Sequence, residues 1–120
     1  MHRDIHPQAL AFHETQLKLI ELGWGRKDPG VQNMFTSRFM PGANVEQSAL
    51  FNEHQRLSCD GMRAAAIVRA RAALDVRPWL RDVRVPTLVL HCEGDLVVPL
   101  SLGQELAASI PGARFEVLRS

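Results

Sequence analysis

Leu10, His13, Leu17 and Ile20 recur at the three- and four-residue spacing of one helix face, and Pro7 suits the first position of that helix. Gly23 stops the run. Asp28-Pro29 reads as an N-cap followed by proline at the first helical position. It opens a short segment with Met34, Phe35, Phe39 and Met40 that closes at Pro41-Gly42. Asn44 with Gln47 three residues on is a capping-box pattern and predicts a helix through Leu50, Phe51, His54 and Leu57. Ser58 or Asp60 then caps an Ala/Arg-rich helix from Met62 to about Leu74, and Pro78-Trp79-Leu80 predicts one further helical turn.

From Val85 the pattern changes. Pro86 ends the helical region, and Thr87-Leu88-Val89-Leu90-His91-Cys92 is a continuous run rich in β-branched residues. Such a run predicts a strand buried on both faces, as in a parallel sheet. Glu93-Gly94-Asp95 is its turn, and Pro99 and Ser101 with Gln104 start a helix through Leu102, Leu106, Ala107 and Ile110. Pro111-Gly112 breaks that helix, and Arg114-Phe115-Glu116-Val117-Leu118 reads as a second strand. Strand, helix, strand is a βαβ unit, right-handed by default. Two parallel strands do not make a self-sufficient sheet, because they need neighbours and cover on both faces. The fold class is therefore α/β with an incomplete sheet: a helical region over residues 1–84 and a βαβ corner over 85–120. The remaining strands are expected in sequence outside these 120 residues.

Composition sharpens this picture mainly by exclusion. With 46% hydrophobic and 22% charged residues the chain is neither disordered nor fibrous, and two cysteines make no disulfide framework. Cys59 and Cys92 read as reduced thiols of a cytoplasmic protein. The N-terminus lacks an apolar segment of secretory length, and no apolar run approaches the roughly 20 residues that span a bilayer, so no membrane contact is expected. Fourteen Lys and Arg against 13 Asp and Glu give a net charge of +1, without the basic excess of a nucleic-acid-binding surface. Arg63, Arg69, Arg71, Arg77, Arg81 and Arg84 cluster, but Asp60, Asp75 and Asp82 lie among them, which predicts solvated helix faces with local ion pairs.

Beyond the carboxyl end of a strand is where open α/β sheets carry their ligands and catalytic groups. Asp95 stands there after the first strand, behind Gly94. A carboxylate in that place can accept a histidine Nδ1–H and stabilise the imidazolium formed during acyl transfer. The other reading is local: Gly94-Asp95 is a turn, and Asp95 caps the next helix. His91-Cys92-Glu93, even with His2 and His6, lacks zinc-ligand spacing, so no metal and no cofactor are expected. Cys92 reads instead as a small buried strand residue and His91 as a strand-end side chain. Trp24, Phe35, Phe39, Phe51 and Trp79 fit either a helical core or the apolar wall of a pocket.

The stretch Val85-Pro86-Thr87-Leu88-Val89-Leu90-His91-Cys92-Glu93-Gly94-Asp95-Leu96-Val97-Val98-Pro99 resembles the late strand and acid turn of α/β-hydrolases. Gly103 to Phe115 resembles that fold's next helix and last strand. Gly23-Trp24-Gly25, Met34 to Gly42, Phe51-Asn52-Glu53 and Asp75-Val76-Arg77 are similar to the helical lid of a bacterial subgroup. In that subgroup the hydrolase domain is often joined to a nucleotide cyclase or helix-turn-helix regulatory domain. The resemblance implies that Asp95 is the acid of a Ser–His–Asp triad, in a parent that hydrolyses an ester or related activated carbonyl of a small molecule. Its partner would be the remainder of the hydrolase core. No other catalytic residue transfers: Ser37, Ser48, Ser58, Ser101 and Ser109 lack the flanking glycines of Gly-x-Ser-x-Gly. None of the five histidines (His2, His6, His13, His54, His91) follows the second strand. The chain alone is therefore expected to be inactive. The alternative is a non-catalytic, ligand-sensing domain of a transcriptional regulator or nucleotide cyclase.

Overall fold

In the computed structural model, which describes residues 7–26 and 29–119 apart from the side chains of Gln8 and Ala9, the first part of the chain is helical. Its elements are α1 (Pro7–Gly23), α2 (Gly30–Phe39), α3 (Val45–Ser58) and α4 (Gly61–Ala73). Local chemistry sets most of their ends. The Asn44 side chain accepts from the Gln47 N–H at 2.8 Å, and the Gln47 Oε1 accepts from the Asn44 N–H at 3.0 Å, which completes the expected capping box. Asp60, not Ser58, caps α4: its Oδ1 accepts from the Arg63 N–H at 2.8 Å. Ser58 closes α3 and donates its hydroxyl to the His54 carbonyl. At α2 the N-cap is Pro29 itself, with no side-chain cap, so the proline sits one position earlier than expected. Asp28, the expected cap, lies outside the described residues. Asn44→Ala is expected to lower stability by about 1 kcal/mol in urea denaturation followed by circular dichroism.

The apolar stripe of α1 meets α4. Ile20, Phe35, Ala64 and Ala65 form the buried core, with Leu17, Trp24, Val31, Met34, Cys59 and Val68 packed around it. A Cβ at Gly61 would stand 3.2 Å from both the Ile20 carbonyl oxygen and the Trp24 Cβ, so the start of α4 comes as near to α1 as a bare backbone allows. Trp24 packs edge-on to Phe35 with centroids 5.9 Å apart, and its Nε1–H donates to the Cys59 carbonyl at 2.9 Å. Between α2 and α3 the seam is polar. Thr36 Oγ1 donates to Asn52 Oδ1 at 2.5 Å, Asn52 Nδ2 to Asn33 Oδ1 at 2.5 Å, and Gln55 Nε2 to Thr36 Oγ1 at 2.7 Å.

The chain divides into two compact units, Met1–Leu74 and Asp75–Ser120. The second contains a short 3₁₀ helix (Arg77–Asp82), strand β1 (Leu88–Cys92), helix α5 (Leu100–Ser109) and strand β2 (Arg114–Leu118). Its 3₁₀ helix packs on α5. The strands pair in parallel, from Leu88 opposite Arg114 to Cys92 opposite Leu118. Val89 and His91 of β1 are buried, as are Gly103, Ala107 and Ile110 in and just after α5. Leu88 and Leu90, on the other face of β1, are 50% and 55% exposed. The run written for two covered faces thus has one covered within the described residues, because α5 lies on one side only. Helix α5 has Pro99 as N-cap and no side-chain cap bond, so Ser101 does not start it. The N–H groups just before Pro99 are taken up by Asp95.

Candidate functional site

β1 ends at Cys92, and the Asp95 N–H donates back to the Cys92 carbonyl at 3.2 Å, closing the turn over Glu93-Gly94. The Asp95 Oδ1 then accepts from the N–H groups of Val97 and Val98, at 2.8 and 2.9 Å. These two donors, Val98 ahead of Val97, hold the Asp95 carboxyl below the usual carboxylate range against an opposing effect of partial burial, and the nearby His91 adds a smaller pull. The local and catalytic readings of Asp95 therefore share one side chain. Oδ1 shapes the turn that precedes α5, while Oδ2 stands apart from both turn bonds, 3.7 Å from His91 Nε2.

His91, read from the sequence as a strand-end side chain, stands next to the end of β1 and is buried: the ring is 8% exposed, and Nε2 lies 2.8 Å from the Val98 carbonyl oxygen. A carbonyl only accepts, so Nε2 carries the proton. Val98 is thereby held twice, its N–H by Asp95 and its C=O by His91. The ring fits only because α5 has a glycine beside it. A Cβ on Gly103 would sit 2.3 Å from His91 Nδ1. The signal was present in the sequence, since the two-residue period of a strand puts His91 on the same face as the buried Val89. Cys92, one residue on, points the other way and is exposed, not buried as expected.

Other sequence candidates resolve into structural roles. Among the described residues no group of three or more His, Cys, Asp or Glu comes together as a metal site, and His2 and His6 lie outside those residues. Three of the clustered arginines pair with carboxylates: Arg63 with Asp60 at 3.2 Å, Arg69 with Glu21 at 2.5 Å and Arg77 with Asp75 at 3.0 Å. The Arg77 guanidinium holds the Asp75 carboxyl well below its ordinary range. Trp24 and Phe35 belong to the helical core, whereas Trp79 is 63% exposed. Ser37, Ser58 and Ser109 donate their hydroxyls to carbonyls of their own helices.

No family model matches the chain. Solved structures do. A hydrolase from Oleispira antarctica superposes with a TM-score of 0.80 at 18% identity, covering 99% of this chain and 44% of that one. An esterase from Exiguobacterium antarcticum gives 0.76 at 19% identity over 89% of this chain and 38% of its own. A bromoperoxidase from Bacillus anthracis gives 0.70 at 19% identity, over 91% and 40% of the two chains. The chain carries part of the α/β-hydrolase fold. Curated relatives of this chain bear the name carbamate hydrolase RutD. The one from Caulobacter vibrioides is 27% identical over 136 aligned positions, which cover 92% of this chain and 48% of the relative. One from Serratia proteamaculans is 39% identical over 72 positions, covering 55% and 26%. The chain thus spans about half the length of the Caulobacter relative. No helix among its described residues is long and apolar enough to cross a membrane.

Proposed function

We propose that this chain supplies the helical lid (residues 1–84) and the last strand–helix–strand (85–120) of a cytoplasmic serine hydrolase. In this reading Asp95 is the acid of its Ser–His–Asp triad, and the substrate is a small molecule with an ester or related activated carbonyl. The observation that carries the reading is the division of labour within one carboxylate. Oδ1 is anchored by two backbone N–H groups at the carboxyl end of β1, and Oδ2 is left beyond them. An acceptor fixed in this way can take a histidine Nδ1–H, hold the tautomer whose Nε2 removes the nucleophile's proton, and stabilise the imidazolium. Serine nucleophile and histidine come from the remainder of the core, which packs on the open sheet face carrying Leu88 and Leu90. The name carbamate hydrolase among the relatives supports an activated carbonyl as substrate, and the free thiols Cys59 and Cys92 suit a reducing compartment.

The test is hydrolysis of p-nitrophenyl acetate by the 120 residues alone and by a longer protein that adds an upstream Gly-x-Ser-x-Gly and a downstream histidine. The longer protein is expected to turn over and the short one not. Turnover by the short chain, abolished by Asp95→Ala, would overturn the assignment of the nucleophile to other residues. Binding without turnover in the longer protein would replace the enzyme by a ligand sensor.

A further inference from the structure

We propose, on the reading of Asp95 as the acid of the triad, that His91 is its positioning residue. His91 fixes Val98, and through Val98 the Asp95 carboxylate, while leaving Oδ2 free for a histidine from the rest of the protein. Residues 96–98 lie between β1 and α5, outside the ladders of strand and helix. Packing holds them weakly, since the side chains of Leu96 and Val98 are exposed. Two polar side chains hold them instead. Asp95 Oδ1 takes the N–H groups of Val97 and Val98, and His91 Nε2–H takes the Val98 carbonyl. Asp95 is anchored on Val98, so its carboxylate is no better placed than the peptide it grips. Of Asp95, Val97, Val98 and His91, only His91 is buried, on the covered face of β1 beside Val89. It ties this turn to the sheet.

The direction of the His91 proton matters as much as its place. Asp95 Oδ2 lies 3.7 Å from the same Nε2, beyond hydrogen-bond reach. A proton turned from Val98 to Oδ2 would occupy the acceptor that a catalytic histidine needs and weaken its support of the imidazolium. Two contacts hold the ring against that turn. The Val98 oxygen satisfies Nε2–H at 2.8 Å. The Nδ1 edge lies against α5 at Gly103, where an added Cβ would fall 2.3 Å away. His91 thus serves the reaction by spending its own proton on the backbone.

The experiment uses the longer protein with the upstream Gly-x-Ser-x-Gly and the downstream histidine. p-Nitrophenyl acetate is the substrate, and kcat is normalised to the folded fraction from circular dichroism. His91→Gln and His91→Asn separate reach from polarity. Both are neutral amides, but the Gln nitrogen reaches the place of Nε2, whereas the Asn amide reaches only that of Nδ1, beside Gly103. His91→Asn is expected to lower kcat about tenfold with KM unchanged, the effect of a misplaced catalytic group. His91→Gln should recover most of that loss. A purely structural role would instead lower the folded fraction and leave kcat per folded molecule alone. Native kcat in His91→Asn, or an equal loss in both variants, would overturn the proposal. If His91→Asn does not fold, His91→Leu, which also lacks the donor, takes its place with the same expectation. Asp95→Asn is measured alongside. If it keeps native kcat, Asp95 is not the triad acid and the role of His91 falls with it. If it loses activity while His91→Asn does not, the role of His91 falls alone. Amide exchange at Val97 and Val98 reads the clamp even without turnover: it should be faster in His91→Asn and near native in His91→Gln. Equal exchange in all three proteins would show that His91 does not hold Val98.

Discussion

On the proposed triad, Asp95→Asn in the longer protein is expected to lower kcat by about ten-thousand-fold while leaving the fold and substrate binding nearly intact. The asparagine keeps an oxygen in the place of Oδ1, so the Val97 and Val98 N–H groups retain their acceptor and the turn survives. What changes is the other atom. An NH₂ replaces Oδ2 and meets the imidazole with a donor where an acceptor is needed, which selects the wrong tautomer and removes the charge that stabilises the imidazolium. Asp95→Ala is a poorer probe, because it also removes the acceptor that shapes the turn. The pH dependence follows from the direction of the shift. A carboxyl depressed in the folded state contributes fully above its ordinary range, and that contribution is lost only as pH falls through the lowered folded value. Asp95 is thus ionised throughout the neutral range, and an acid limb in kcat/KM near neutrality belongs to the histidine. A variant that keeps its kcat within tenfold of the native enzyme would remove Asp95 from the triad.

Features set by neighbouring residues were legible in the sequence. The Asn44 and Gln47 box, the Asp60 cap and the turn at Glu93-Gly94-Asp95 each involve partners within three residues of one another. Their geometry is fixed by spacing alone. The βαβ order was legible for the same reason, since apolar runs and Gly/Pro breaks are local signals. Helix starts without a polar cap were misplaced: at Pro29 and Pro99 the fixed φ of proline takes the cap position with no side-chain bond to announce it.

Contacts made across the fold were not legible. Nothing near Gln32 in sequence shows that its amide is buried without partners, nor that Asn52 of α3 bonds Thr36 and Asn33 of α2. Likewise β1 reads as a two-sided strand, yet which of its faces α5 covers depends on the return of the chain after Pro99. The one hint of that contact was Gly103. A glycine in mid-helix costs about 1 kcal/mol relative to alanine and needs a tertiary reason to be there.

That reason gives the second large effect. Gly103→Val is expected to destabilise the second unit by about 3 kcal/mol and to loosen the turn that holds Asp95. Two terms of opposite sign compete in the milder Gly103→Ala. In an exposed helix interior, alanine for glycine gains about 1 kcal/mol. Here the new Cβ falls 2.3 Å from His91 Nδ1, on a ring that the Val98 carbonyl holds in place, and overpacking of this kind costs about 1–3 kcal/mol. The clash wins, so Gly103→Ala should lower the denaturation midpoint. Valine carries the same Cβ, adds two methyl groups against the ring and forgoes the helix gain. The decisive comparison is made in a His91→Ala background, where the ring is absent. There Gly103→Ala should reverse sign and stabilise, by up to about 1 kcal/mol. Amide exchange at Val97 and Val98 should speed up in both glycine variants, because the displaced ring gives up the Val98 carbonyl. A Gly103→Ala protein that is more stable than the native chain would show that His91 does not occupy the space the glycine leaves. Asp95 would then owe its position to its own turn alone.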